Sequence, residues 1–206
     1  MTDINYLENL RTPTSDDPLR ILMSACLAGS PCGYDATTNG EYPATQKLLG
    51  QKTIKIIHFC PEEFSFGVPR EMCDIHGGTG FDVLDGKAKV ISDTGKDWSE
   101  GMIKAAFKML EIARTEEIEL VVLMDISAAC GSQVIYEGNR FAENKIYQIG
   151  AGVCAALLLR NGFRIISQRD FASLEIVYSR MDPAHHPDQS KKDHHQTDWY
   201  KSYFEK

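Results

Sequence analysis

Short apolar runs of strand length alternate along this chain with segments of helical periodicity. That alternation predicts an α/β fold: three layers, a mostly parallel sheet with helices on both faces in a Rossmann-like arrangement, and one small hairpin excursion. Length and composition agree, because 206 residues that are 43% hydrophobic can bury a sizeable core without disulfides or a partner. The expected organisation is an N-terminal surface arm over 1–18, one α/β domain over 19–181 and a polar tail over 182–206.

The elements follow in order. Leu19 to Cys26 is short and apolar and runs into Gly29, Pro31 and Gly33, which fits a buried strand entering a loop. A short helix is expected around Ala44 to Leu49. Ile54 to Phe59 is rich in β-branched residues and stops at Cys60-Pro61, where proline cannot continue a central ladder. Phe81 to Leu84, then Asp85-Gly86, then Lys87 to Ile91, reads as a hairpin, since Asp-Gly tolerates the positive φ of a tight turn. Between Asp97 and Arg114, Trp98, Met102, Ala105, Ala106, Met109, Ile112 and Ala113 fall at helical spacing, with Asp97 as the cap. Ile118 to Met124 is a third apolar strand that enters the small-residue loop Ser127 to Gly131. Gly150 to Arg160 reads as a buried helix ended by Asn161-Gly162, Phe163 to Ser167 as a strand, and Phe171 to Tyr178 as a last helix. The tail carries His185-His186 and His194-His195 and is expected to be solvated or to dock as a short segment.

Lys and Arg number 22 against 29 Asp and Glu, a net charge of −7. Nucleic-acid affinity rests on clustered Lys and Arg, so no dedicated nucleic-acid surface is expected. The first residues lack a basic start followed by an apolar core, and the longest near-apolar run, Ile149 to Leu159, is too short to span a bilayer. A soluble, cytoplasmic protein with no membrane partner is expected. The six cysteines, Cys26, Cys32, Cys60, Cys73, Cys130 and Cys154, are then reduced rather than paired. No C-x-x-C occurs, which disfavours zinc ribbons, thioredoxin-like dithiols and tandem-cysteine ferredoxins. Metal binding, nucleophilic chemistry and plain burial all remain open for them.

Cys26, Cys60 and Cys130 each follow the end of a predicted buried strand. In a parallel sheet those carboxyl ends share one edge, where open α/β sheets bind ligands. Three thiols distant in sequence can therefore converge there. Their loops also carry Ser24, Tyr34, Asp35 and Asn39, then Glu62, Glu63 and Arg70, then Ser127 and Ser132. That mixture of thiols, carboxylates, hydroxyls and a guanidinium suits catalysis better than a purely structural metal site. Cys154, inside an apolar helix, reads as core packing.

The motifs Ser24-Ala-Cys-Leu-Ala-Gly29 with Cys32-Gly-Tyr-Asp35, Cys60-Pro-Glu62 with Pro69-Arg70, Ser127-x-x-Cys130-Gly131, and Gly150-Ala-Gly-Val-Cys-Ala-Ala-Leu-Leu158 resemble, in combination and in order, the thiouracil desulfidase family (domain of unknown function 523). The likeness runs from about Leu19 to Gln168. It departs at Ala128-Ala129, where the family commonly has Pro-Ser, and at Gly33, where it often has Arg. The resemblance implies that Cys26, Cys60 and Cys130 hold a 4Fe-4S cluster with three cysteine ligands and one open iron. An open iron is a Lewis acid that prefers soft donors, so a thiocarbonyl sulfur suits it. The implied reaction exchanges that sulfur for oxygen by hydrolysis, without net redox change, on a small-molecule thiolated base.

Proton transfer in such a reaction needs an acid-base group. Glu62, two residues after Cys60, is the first candidate and Glu63 its rival. Ser127 is a candidate for orienting water or the base, and Ser24 shares the Cys26 face if the strand stays regular. Arg70 can recognise a carbonyl or balance charge. Cys32 and Cys73 are ambiguous thiols, and His58 and His76 are the histidines of the core loops. The competing reading is a cluster-binding or zinc-binding protein without desulfidase activity, such as a sensor or interaction module. A thiol-dependent hydrolase is a third.

Overall fold

The computed structural model describes residues 4–38 and 40–205. Four parallel strands form the central sheet: β1 (Leu19–Ser24), β2 (Ile54–Phe59), β5 (Leu120–Leu123) and β8 (Ile165–Ser167), in the order β2-β1-β5-β8. Ser24 pairs with Phe59 at the end of one ladder, and Met23 with Val122 at the end of the next. The strand side chains alternate between two cores, as a pleated strand requires. Leu22, Val121, Leu123 and Ile165 face α5 (Ser99–Thr115) and α6 (Val153–Arg160). Ile21, Met23, Leu120, Val122 and Ile166 face α1 (Ile4–Glu8) and α7 (Phe171–Met181). Helices thus cover both faces, as the apolar runs require.

The remaining four strands form a second, mixed sheet: β3 (Cys73–His76), β4 (Lys89–Ser92), β6 (Val134–Glu137) and β7 (Ile146–Ile149), in the order β4-β3-β6-β7. This corrects the expected hairpin. Phe81 to Leu84 belongs to a helix, α4 (Gly80–Leu84), because Asp82 Oδ2 accepts both the backbone N–H and the hydroxyl of Thr79 at 2.8 Å and caps the first turn. Gly86 does turn the chain with a φ of 72°, but it joins a helix to β4, whose antiparallel partner is β3. The other boundaries shift slightly. α5 begins at Ser99, whose N–H Asp97 Oδ1 accepts, and α6 begins only at Val153. The short helix after β1, α2, spans Pro43–Gln46.

Described residues near both ends pack against the domain. Leu7 and Leu10 are buried in the α7-side core, and Arg11 donates from Nε and Nη2 to the Glu119 carboxylate at 2.6 and 2.9 Å. In the tail, α8 (Asp198–Phe204) brings Trp199 and Tyr203 edge-on to Tyr147 of β7, and His194 is buried. The expected surface arm is therefore a docked segment, held by Leu7 and Leu10, the Arg11–Glu119 pair and the Tyr6 hydroxyl, which donates to the Glu119 carbonyl. Among the described residues no helix is long and apolar enough to cross a membrane.

Candidate metal centre and active site

The chain passes from β1 to β2 on one side and from β2, through α3 (Pro61–Phe66) and α5, to β5 on the other. Connections that diverge in this way leave a crevice beyond the carboxyl ends of β1 and β5. A cavity of about 200 Å³ lies there, lined by Cys26, Cys32, Cys60 and Cys130 together with Ser24, Glu62, Arg70, Asp125 and Ser127. Every residue of the predicted set (Cys26, Cys60, Cys130, Glu62, Ser127 and Ser24) lines this one space.

Each loop holds its thiol for a local reason. Cys26 sits in the single 3₁₀ turn that ends β1, closed by Gly29 at a φ of 86°. Cys60 caps α3: its Sγ accepts the N–H of Glu63 at 3.4 Å, and Pro61 opens the helix where no N–H is needed. Cys130 lies in a turn closed by the Ser127 hydroxyl, which accepts the N–H of Cys130 at 3.1 Å and of Ala129 at 3.3 Å. The Ser24 hydroxyl accepts the N–H of Met124 at 3.0 Å, and its influence on the neighbouring Cys130 thiol is to lower the pKa of that thiol. The Gly-Ala-Gly segment before α6 explains itself here. The N–H groups of Val153 and Cys154 donate at 2.9 Å to the carbonyls of Ala128 and Ala129, and a Cβ on Gly152 would meet the carbonyls of Ser127 and Ala128 at 2.6 Å.

Glu62 does not stand alone. Arg70 donates from Nη2 and Nε to Glu62 Oε2 at 2.9 and 3.3 Å, and from Nη1 to the carbonyl of Cys32 at 3.0 Å and of Gly67 at 3.2 Å. The guanidinium is almost fully enclosed and ties the Cys32 loop to α3. Its own pKa is raised: burial opposes the charge, but Glu62 and the neighbouring thiols outweigh burial.

Three of the cavity thiols, Cys32, Cys60 and Cys130, are pushed up. Contact with Cys26, then burial, pushes Cys32 up to about 12, with Cys60 acting the other way. Cys60 is raised by contact with Cys32 and by burial, against the N–H of Glu63. Burial raises Cys130, against the Ser24 hydroxyl. Free thiolates are therefore disfavoured at these three positions, whereas a metal cation deprotonates the thiols it binds. The donor set suits a soft transition metal. The ligand atoms of Cys32, Cys60 and Glu63 lie within 4.8 Å of one another.

The remaining sequence candidates lie elsewhere. Cys73 is buried in β3 and Cys154 in α6, each with a pKa held well above the ordinary thiol value chiefly by burial. Asp35 is exposed and accepts the N–H and hydroxyl of Thr37, a turn contact. Asn39 lies outside the described residues. His58 is exposed on β2, and His76 borders Gly138 in the mixed sheet. A second convergent group, Asp170, Asp193 and His195, sits at the start of α7. Its carboxylates already accept the N–H of Ser167, His194 and Ser173 and the Ser173 hydroxyl, so helix capping accounts for them.

Sequence reading left Cys32 ambiguous and named neither Asp125 nor Arg140, which also line the cavity. Cys32 was ambiguous, yet it lies between Cys26 and Cys60. Asp125 lies two residues beyond the end of β5, a signal that was available. Arg140 had none, because it reaches the cavity through an ion pair with Asp74, Nη2 to Oδ1 at 2.6 Å, 66 residues away.

The family described as 2-thiouracil desulfurase matches residues 21–170. The uncharacterized protein YbbK of Bacillus subtilis (strain 168) is 41% identical over 154 residues, covering 73% of this chain and 96% of that protein. A solved structure described as the [4Fe-4S]-dependent thiouracil desulfidase TudS superposes with a TM-score of 0.64 at 27% identity, covering 78% of this chain and 98% of the other. The matched stretch contains each of the four cavity cysteines and both strands of the crevice, and the chain belongs to the 2-thiouracil desulfurase family.

Proposed function

We propose that this chain is an iron-sulfur-dependent desulfidase that exchanges the thiocarbonyl sulfur of thiouracil, or of a related thiolated nucleobase, for oxygen and releases sulfide without net redox change. One observation carries the reading: the thiols of Cys26, Cys60 and Cys130 and the carboxylate of Glu62 open on a single cavity at the switch point of the sheet. In this reading the three cysteines hold a 4Fe-4S cluster and one iron stays open. Bound there, the cluster supplies a Lewis-acidic site selective for sulfur.

The chain's own residues supply the remaining functions. Tyr34, Tyr42 and Met124 line the cavity with surface suited to a planar base. Glu62 accepts the proton of the attacking water. Both contacts with Arg70 fall on Oε2, which orients the carboxylate and leaves Oε1 outside that pair. The Ser127 oxygen already accepts two N–H groups, so its own hydrogen serves a bound base or water. Ser24 steadies the Cys130 sulfur.

A second reading, zinc binding without turnover, is favoured by the close convergence of Cys32, Cys60 and Glu63, a set that suits one small ion. Anaerobic reconstitution followed by iron, acid-labile sulfide and zinc analysis separates the two. Incubation with 2-thiouracil then tests turnover, with equimolar uracil and sulfide expected. Zinc retained in place of iron, or a loaded iron-sulfur protein that releases no sulfide from thiolated bases, overturns the proposal.

A further inference from the structure

Asp125 organises the loop that carries Ser127 and Cys130. It is buried on the cavity wall, and its Oδ1 accepts the backbone N–H groups of Ser132, Gln133 and Val134 at 2.9, 3.2 and 3.3 Å. One carboxylate oxygen thus folds residues 125–134 back on themselves. The next residue, Ile126, has a φ of 58°, a left-handed conformation that a β-branched side chain strongly disfavours. Such a backbone persists only where its surroundings over-determine it.

The other oxygen of Asp125 is held from the far end of the chain. His194 Nδ1 lies 2.6 Å from Asp125 Oδ2, and both side chains are enclosed. The His194 N–H donates to Asp170 Oδ1 at 3.1 Å, and its ring stacks on Trp199 with centroids 5.4 Å apart. Its Nε2 is buried without a hydrogen-bond partner among the described residues. A carboxylate oxygen only accepts, so Nδ1 carries the hydrogen of this bond. His194 lies beyond residue 170, where the family match ends.

We propose that His194 is a positioning residue of this site. By holding Asp125 Oδ2 it makes the C-terminal segment part of the frame that sets loop 125–134, and with it the placement of Ser127 and Cys130. The frame is read from geometry alone, whereas its consequence for turnover rests on the desulfidase reading above.

Two substitutions separate the hydrogen bond from the packing. His194→Phe keeps a ring for Trp199 but removes the donor, and His194→Asn places an amide nitrogen near the Nδ1 position without the ring. Amide hydrogen exchange on the full-length, metal-free protein reads the frame directly. In His194→Phe the amides of residues 132–134 are expected to exchange about tenfold faster, the factor for losing one hydrogen bond to a charged group. In His194→Asn the rise is expected to stay within about threefold, and the amides of α5 are unchanged in both. After anaerobic reconstitution, His194→Phe loses iron to a chelator faster and shows a lower kcat with an unchanged KM for 2-thiouracil, while His194→Asn is spared. Should His194→Phe fail to fold, Asp125→Asn weakens the same pair while keeping an acceptor for the three N–H groups, and a local rise at 132–134 is again expected. Wild-type exchange at 132–134, an equal rise in the Phe and Asn variants, or a rise spread through α5 overturns the proposal. A wild-type protein with the expected exchange pattern and no desulfidation would refute the desulfidase reading and leave the positioning role standing.

Discussion

Gly152→Ala tests whether the cavity loop and α6 are built as one piece. An added Cβ would lie 2.6 Å from the carbonyl oxygens of Ser127 and Ala128 and 2.7 Å from the carbonyl carbon of Ala129. All three are backbone atoms, so no side chain can swing aside to relieve the overlap. Either α6 withdraws, lengthening the 2.9 Å hydrogen bonds from Val153 and Cys154, or the loop bearing Cys130 moves. Overpacking of this kind costs about 2 kcal/mol. Replacing glycine by alanine at a helix N-cap is also unfavourable, and the smaller unfolded-state entropy of alanine offsets part of the loss by about 0.5 kcal/mol. For a chain of this length a net loss near 2 kcal/mol lowers Tm by about 4–8 °C. Thermal and urea unfolding of the metal-free protein measure it. Gly101→Ala is the comparison, because the nearest atoms to its Cβ, at 2.6 Å, belong to the side chain of Phe66 rather than to backbone, and alanine is the better helix former at that position. A Gly152→Ala protein as stable as wild type would show that the loop and α6 are not in the rigid contact described.

Three further predictions concern the site and the ends of the chain. Replacing Cys26, Cys60 or Cys130 by Ala is expected to abolish the reconstituted cluster and activity together, read as iron and sulfide content, whereas Cys154→Ala keeps iron and loses stability through packing by about 1–2 kcal/mol. Iron at the wild-type level in Cys130→Ala would remove that residue from the ligand set, and iron lost from Cys32→Ala would add that one. Glu62→Gln, which can still accept a hydrogen bond from Arg70, is expected to keep cluster and substrate binding while kcat falls by about 100-fold, the scale of a lost general base. Near-wild-type turnover would move attention to Glu63 or Ser127. Glu119 has a pKa below its ordinary value of 4.5: burial opposes the shift, but the hydrogen bond from Arg11 and the N–H of Arg20 outweigh it. A depressed carboxylate contributes stability above its unfolded pKa and loses it as pH falls through the folded value. The N-terminal segment should therefore loosen in acid below about 4.5, and Glu119→Gln should reproduce the loosening at neutral pH, both read by proteolysis at Arg11. An N-terminal segment equally resistant in the variant would show that Leu7 and Leu10 hold it without the ion pair.

The sequence by itself determined the central sheet and the meeting of its cysteines. The strands β1, β2, β5 and β8 are short, mainly apolar runs bounded by turn residues, a pattern that reads locally, and parallel pairing then brings their carboxyl ends to one edge whatever the loops do. Cys26 and Cys60 follow within two residues of such an end, so their convergence was legible before any coordinates. The second sheet was not. Its strands are four residues long, and the ladder joining β3 to β6 pairs Ile75 with Glu137, a partnership that no local period encodes. For the same reason the hairpin reading failed at Phe81 to Leu84: a capping contact three residues apart outweighed a turn signal that suits more than one neighbour. Only the tertiary structure placed Cys32 between two other thiols, paired Arg70 with Glu62, and returned the tail to set His194 against Asp125, 69 residues away in sequence. Each of these is a contact between side chains whose partners are chosen by the packing of distant segments, and local sequence holds no record of that choice.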